Sequence, residues 1–148
     1  MNRRVLVLNG PNLNLLGVRE PEIYGPDSLS DIRSACQAEA KSFDLVVDFR
    51  QSNHEGELIE WIQEARDNAS AIVINPAGLS FTSIALLDAL SMFDGPIIEV
   101  HISNIHRRES FRHHSYVSSV ADGVICGCRT QGYQFAIARV AKLLGSPS

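Results

Sequence analysis

Lysine is almost missing from this chain: of 13 basic residues only Lys41 and Lys142 are lysines, and both fall in stretches patterned as helices. Chemistry through a lysine imine at a sheet-end cleft is therefore disfavoured, because neither amine has a place there. The three cysteines, Cys36, Cys126 and Cys128, are odd in number. Cys126-Gly127-Cys128 lacks the two-residue spacer of common zinc and redox motifs, so reduced, buried thiols and no metal are expected. No apolar run approaches the ~18 residues of a membrane span. Arg3-Arg4 leads into too short an apolar stretch for a signal peptide, and a cytoplasmic protein is the expectation. There is no excess of positive charge either, and a net charge of -4 argues against a nucleic-acid partner. Linkers, repeats and low-complexity segments are absent, which leaves 148 residues as one domain.

What is present is an ordinary globular composition, 45% hydrophobic and 20% charged, organised by its periodicity. β-rich apolar runs at 5–8, 45–49, 71–74, 97–100 and 123–126 alternate with stretches at 29–41, 57–68, 83–92 and 131–144 whose apolar residues recur at three and four spacing. Ser28 or Asp27 is placed to cap the first of these helices. Five strands and four crossover helices follow. Strand runs with little alternation are expected to be covered on both faces. That predicts an α/β, flavodoxin-like three-layer sandwich with a five-stranded parallel sheet in the order 2-1-3-4-5. Residues 103–116 break the pattern, being polar and rich in Arg and His, and are read as a loop with a short helix at the rim.

Open parallel sheets bind ligands beyond the carboxyl ends of their strands, and those ends are unusually polar here. Asn9, Gly10 and Asn12 follow the first strand, Gln51-Ser52-Asn53 the second and Asn75 the third, while Glu99, His101 and Ser103 run along the fourth. One cleft is expected to hold them all. Alternation puts Glu99, His101 and Ser103 on one side, where the carboxylate orients the imidazole and favours its protonated form. Asn75 precedes Pro76-Ala77-Gly78, a turn that should expose its amide to an anionic or hydroxylated ligand. The connection 9–25 is long and too polar for a core, which marks it as functional. Within it Tyr24 follows Arg19 by five residues. A phenol, with a pKa of about 10, is a poor base at neutral pH unless a cation stabilises its phenolate. Bringing that value near 7 takes roughly 4 kcal/mol, within reach of one or two guanidinium groups in a closed site. Tyr24 as base, His101 as acid and Asn12 as a stabiliser of negative charge are the parts needed to remove a proton next to a carbonyl.

The blocks Asn-Gly-Pro-Asn-Leu-Asn-Leu-Leu-Gly-x-Arg-Glu-Pro-x-x-Tyr-Gly, Gln-Ser-Asn-His-Glu-Gly-Glu, Ile-Asn-Pro-Ala-Gly, Glu-Val-His-Ile-Ser-Asn, Phe-Arg-His-His-Ser-Tyr and Gln-Gly-Tyr run in order from residue 5 to about 140. Together they resemble the type II 3-dehydroquinate dehydratases. The resemblance implies a single catalytic domain over 1–148 with a mobile active-site loop at about 15–25, no cofactor, and trimers assembled into a homododecamer. It also implies reversible elimination of water from 3-dehydroquinate to 3-dehydroshikimate through an enolate, in the shikimate pathway of aromatic amino acid biosynthesis or in quinate catabolism. By matching motif, Tyr24 takes the proton, Arg19 lowers the phenol pKa, Arg108 helps to hold the loop and Asn12 steadies the enolate. His101, oriented by Glu99, protonates the departing hydroxyl. Asn75, Arg112 and the backbone at Ile102 and Ser103 bind the substrate carboxylate and hydroxyls, and Asp88 is supplied across a subunit contact.

Phe81 departs from the family pattern, which has a histidine there that contacts a substrate hydroxyl. A phenyl ring cannot replace that hydrogen bond, so weaker binding or an altered substrate preference is expected. The alternatives are a lyase for a related cyclic hydroxy-acid, a flavin or phosphoacceptor module on the same fold, and a non-catalytic small-molecule-binding protein. A phosphoacceptor wants an acid where Asn75 stands and a lysine where Gly127-Cys128-Arg129 stands, and residues 10–14 are not a Ser/Thr-rich flavin loop.

Overall fold

Val, Ile and Leu dominate the five strands: β1 (Arg3–Asn9), β2 (Leu45–Gln51), β3 (Ala71–Asn75), β4 (Ile97–His101) and β5 (Gly123–Cys126). In the computed structural model, which describes residues 3–145, they pair in parallel in the order β2-β1-β3-β4-β5. The central strands β3 and β4 are buried at every position, which is why their runs show no alternation. The edges differ from the expectation of two covered faces, since Val46 on β2 and Val124 on β5 are exposed. An edge strand has a neighbour on one side only and lies beyond the reach of one helical layer.

Four long helices flank the sheet: α2 (Leu29–Lys41), α3 (Glu55–Asn68), α4 (Ile84–Ser91) and α5 (Gln131–Leu143). A fifth, α1 (Pro21–Tyr24), is a single turn in the loop after β1. Ser28 begins α2 with a reciprocal capping box, its side chain accepting from Asp31 N–H while the Asp31 carboxylate accepts from Ser28 N–H. α2 and α5 pack on the face formed by Val5, Val7, Val73, Ile98 and Val100. α3 and α4 cover the opposite face, with Leu6, Leu8, Ile72, Ile74 and Ile97. Only α2, α3 and α4 are crossovers, because α5 follows the last strand. β4 and β5 are joined instead by three 3-10 turns, Ile105–Arg107, Ser110–Arg112 and Val117–Ser119. That segment has no apolar three-and-four pattern with which to hold a helix against the sheet.

Cys36 is buried in α2, and burial, reinforced by the charge of Glu39, pushes its thiol up to about 12. Cys126 and Cys128 are only partly buried, contrary to the expectation for all three, because they sit on and just after an edge strand. Burial, then the charges of Glu99 and Cys128, pushes the Cys126 thiol up to about 11. Among the described residues no helix is long and apolar enough to cross a membrane.

The chain leaves β1 toward one edge of the sheet and leaves β3 toward the other, so the loops after these neighbours diverge and open a crevice. Gly10 closes its floor: its N–H donates to the Asn75 carbonyl at 2.9 Å. A Cβ at Gly10 would stand 2.6 Å from the Pro76 carbonyl oxygen. That obstacle is backbone and cannot rotate away. Gly10→Ala is therefore expected to lower stability by about 1 to 3 kcal/mol, read from the midpoint of urea unfolding; an unchanged midpoint would show that β1 and β3 can separate there without cost.

Candidate active site

A cavity of ≈ 200 Å³ lies over the crevice, lined by Asn12, Arg19, Tyr24, Asn75, Phe81, His101, Ile102, Ser103, Arg108 and Arg112, together with Pro11, Leu13, Ala77, Gly78 and Ile105. Four segments converge on it: the loop after β1, the turn after β3, the end of β4 and the irregular β4–β5 crossover. Glu99 and Asp88, also singled out from the sequence, do not line it, and neither do Asn9 and Gly10 beneath it. Glu99 is behind His101 with 0% exposure, and Asp88 is exposed on α4. The polar end of β2 also stays outside. Gln51 Nε2 donates to the Gly10 carbonyl and to Asn53 Oδ1, and Asn53 Oδ1 accepts from Asn12 N–H at 2.9 Å. Gln51 and Asn53 thus brace the turn at which Asn12 adopts φ 73°.

Glu99 and His101 are two residues apart on β4 and emerge on the same face. His101 Nε2 lies 2.5 Å from Glu99 Oε2. Ser115 Oγ donates to the same oxygen at 2.6 Å, and Ser118 Oγ donates to Oε1 at 2.5 Å. Both serines belong to the crossover, and the sequence reading missed them because no spacing links them to β4. Burial alone would raise the Glu99 pKa, but the hydrogen bond and charge of His101 and the two hydroxyls outweigh it and hold the carboxyl below its usual range. An ionised carboxylate only accepts, so the proton between the two residues belongs to His101 Nε2. Nδ1 is left as the ring nitrogen for a ligand.

Tyr24 ends α1 with 8% exposure. Arg108 Nη1 donates to its phenol oxygen at 2.9 Å and to Ser103 Oγ at 3.2 Å. The Arg108 and Arg19 guanidinium carbons stand 5.3 Å and 5.0 Å from the ring centroid. The cation on the oxygen is Arg108, from the crossover, while Arg19, five residues earlier in the same loop, lies over the ring.

The Asn75 amide is not exposed by its turn, contrary to expectation. It is 3% exposed, its Nδ2 donates to Tyr133 Oη at 2.9 Å and its Oδ1 accepts from Ala77 N–H at 3.1 Å. Phe81 faces the cavity with its ring stacked on His101 at 6.3 Å between centroids. Arg112 lies over the rings of Phe81 and Phe111, at 5.7 Å and 5.0 Å, and Nε donates to Glu109 Oε1 at 3.2 Å. Among the described residues no group of three or more His, Cys, Asp or Glu side chains is arranged to hold a metal ion.

The same residues fall within a known family pattern. The family model described as "Dehydroquinase class II" matches residues 3–141. A 3-dehydroquinate dehydratase of Streptomyces coelicolor is 61% identical over 148 residues, covering 99% of this chain and 94% of that protein. A 3-dehydroquinate dehydratase 2 of Pseudomonas aeruginosa is 56% identical over 142 residues, covering 96% of each. Among solved structures, the type II dehydroquinase of Propionibacterium acnes superposes with a TM-score of 0.92 at 44% identity, covering 96% of this chain and 98% of that one.

The Glu99 cluster generates a pH dependence of stability. Its folded pKa lies below the unfolded value of about 4.3, so its contribution is fully present above that value and is lost as pH falls through the lower folded one. Glu99→Gln, which keeps the volume and removes the charge, should be destabilised by about 3 to 5 kcal/mol relative to the parent near neutral pH, with the gap narrowing as the solution is acidified below the carboxylate range. Urea unfolding at a series of pH values reads this; a gap that stays constant on acidification would show that the carboxylate charge contributes nothing.

Proposed function

The chain belongs to the class II dehydroquinase family and is a hydro-lyase that dehydrates 3-dehydroquinate, and we propose that Tyr24 and His101 carry the proton transfers of that reaction. One observation supports this above the others: Arg108 donates to the Tyr24 oxygen at 2.9 Å in the cavity that His101 also lines. A guanidinium at that distance, with a second one over the ring, sets positive charge beside the oxygen that takes the proton. Tyr24 removes the proton next to the substrate ketone. Asn12 stabilises the enolate that forms, and His101 gives its proton to the departing hydroxyl. Glu99 keeps the imidazole oriented and offsets the positive charge it carries before that transfer.

Arg112, Asn75 and the backbone at Ile102 and Ser103 hold the substrate carboxylate and hydroxyls. No step calls for a cofactor. The segment around α1 acts as a lid, since a cavity that excludes water during reaction has to open for exchange. Asp88, exposed on α4 and outside its own cavity, suits a contribution to the cavity of a neighbouring copy, in line with trimers assembled into a dodecamer. We place the enzyme in the cytoplasm, in the shikimate pathway or in quinate breakdown.

Activity is followed by the ultraviolet absorbance of the conjugated enone product. Tyr24→Phe and His101→Ala are each expected to lower kcat by about 10²- to 10⁴-fold while remaining folded; full activity in either variant would remove that residue from the chemistry. Phe81 leaves a ligand hydroxyl beside an apolar ring, at a cost of about 1 to 3 kcal/mol. Phe81→His is therefore expected to raise kcat/KM for 3-dehydroquinate by roughly 5- to 150-fold, and an unchanged value would overturn that account.

A further inference from the structure

Tyr133 lies in α5, outside the residues given roles above, with 0% exposure. Its hydroxyl nonetheless bonds Asn75, a residue that lines the cavity. Asn9 and Asn75 are register partners on β1 and β3, so their side chains emerge on one face, where Tyr133 packs with the residues beneath α2 and α5. The phenol bridges the two amides: Tyr133 Oη donates to Asn9 Oδ1 at 2.7 Å and accepts from Asn75 Nδ2 at 2.9 Å. Beyond them, Asn9 Nδ2 donates to the Arg50 carbonyl at 3.0 Å, and Asn75 Oδ1 accepts from Ala77 N–H at 3.1 Å.

The polarity of this relay has one solution. Its two ends are main-chain groups without a choice, because the Arg50 carbonyl only accepts and the Ala77 N–H only donates. Turning the Asn75 amide over would set N–H against N–H, and turning the Asn9 amide over would set carbonyl against carbonyl, in a region buried from water. Each hydrogen bond therefore fixes the direction of the next. The phenol has to keep its proton to donate, and burial pushes its pKa above the ordinary tyrosine range. What the relay leaves over at Asn75, a residue that lines the cavity, is the second N–H of Nδ2.

We propose that Tyr133 is a positioning residue that acts through Asn75, presenting an amide N–H to the ligand and so selecting a ligand oxygen able to accept, a ring hydroxyl or a carboxylate. This rests on the reading of Asn75 as a binding residue. The phenol touches no substrate; it is the second tether of an amide whose direction the Ala77 N–H sets. Loss of its oxygen leaves the amide held by the Ala77 N–H alone and able to swing about that one bond, which weakens binding without touching the base or the acid.

Steady-state kinetics with 3-dehydroquinate on Tyr133→Phe, Asn75→Ala and the double variant test this. Tyr133→Phe is expected to raise KM by about 5- to 10-fold with kcat within about twofold, and the double variant should bind no worse than Asn75→Ala alone, since both changes remove one contact. A raised KM in Asn75→Ala with wild-type KM in Tyr133→Phe overturns the relay and leaves the role of Asn75 standing. Wild-type KM in Asn75→Ala overturns both. A fall in kcat with constant KM in Tyr133→Phe also overturns the proposal. If circular dichroism shows that Tyr133→Phe does not fold, Asn9→Leu cuts the relay on its other side: a raised KM with kcat kept supports the proposal, and an unchanged KM overturns it.

Discussion

A carboxylate buried at the centre of a parallel sheet is a demand that its surroundings have to meet. Glu99 has no exposure, and a bare charge there costs several kcal/mol unless it is paired and hydrogen-bonded. His101 meets part of the demand from the same strand, and Ser115 and Ser118 meet the rest. Ser118 stands in the 3-10 turn Val117–Ser119 of the β4–β5 crossover and Ser115 two residues before that turn. The same irregular segment carries Arg108 and Arg112 over the crevice. Folding and the placing of the cationic groups are therefore coupled through one ionised side chain.

The charges are arranged with a clear division. Guanidinium groups gather around Tyr24 and the mouth of the cavity, and the carboxylate is confined beneath the imidazole. Tyr24 is thus given a cationic neighbour and His101 an anionic one. In our reading this is how two groups of ordinary chemistry work as base and acid in one solution. Phe81 sits between these regions, stacked on His101 and beneath Arg112. It contributes packing and a cation–π contact where a polar side chain would offer a hydrogen bond. That exchange leaves the Tyr24–Arg108 and His101–Glu99 contacts in place.

Much of this was legible in the chain itself. Strand runs, helix stretches and sheet order followed from periodicity, and the polar strand ends pointed to the crevice. Glu99 and His101 were paired by alternation alone, because two residues is the period of a strand. Other features were not. Gln51 and Asn53 look like site residues from their position after β2, yet they brace the Asn12 turn from outside the cavity. Cys126 and Cys128 read as buried but lie at a sheet edge. Arg19 stands near Tyr24 in the chain, while Arg108, 84 residues away, reaches the phenol oxygen.

What the sequence determined by itself is what depends on short-range stereochemistry: where strands and helices form, which residues share a face, and which ends of the sheet are polar. Only the tertiary structure decided which hydroxyls neutralise Glu99, which guanidinium meets Tyr24, and how Tyr133 aligns two asparagines from different strands. Those outcomes rest on hydrogen bonds whose geometry has to hold to within a fraction of an ångström between groups far apart in the chain. Such distances are set by how the layers pack, and residue spacing carries no record of them.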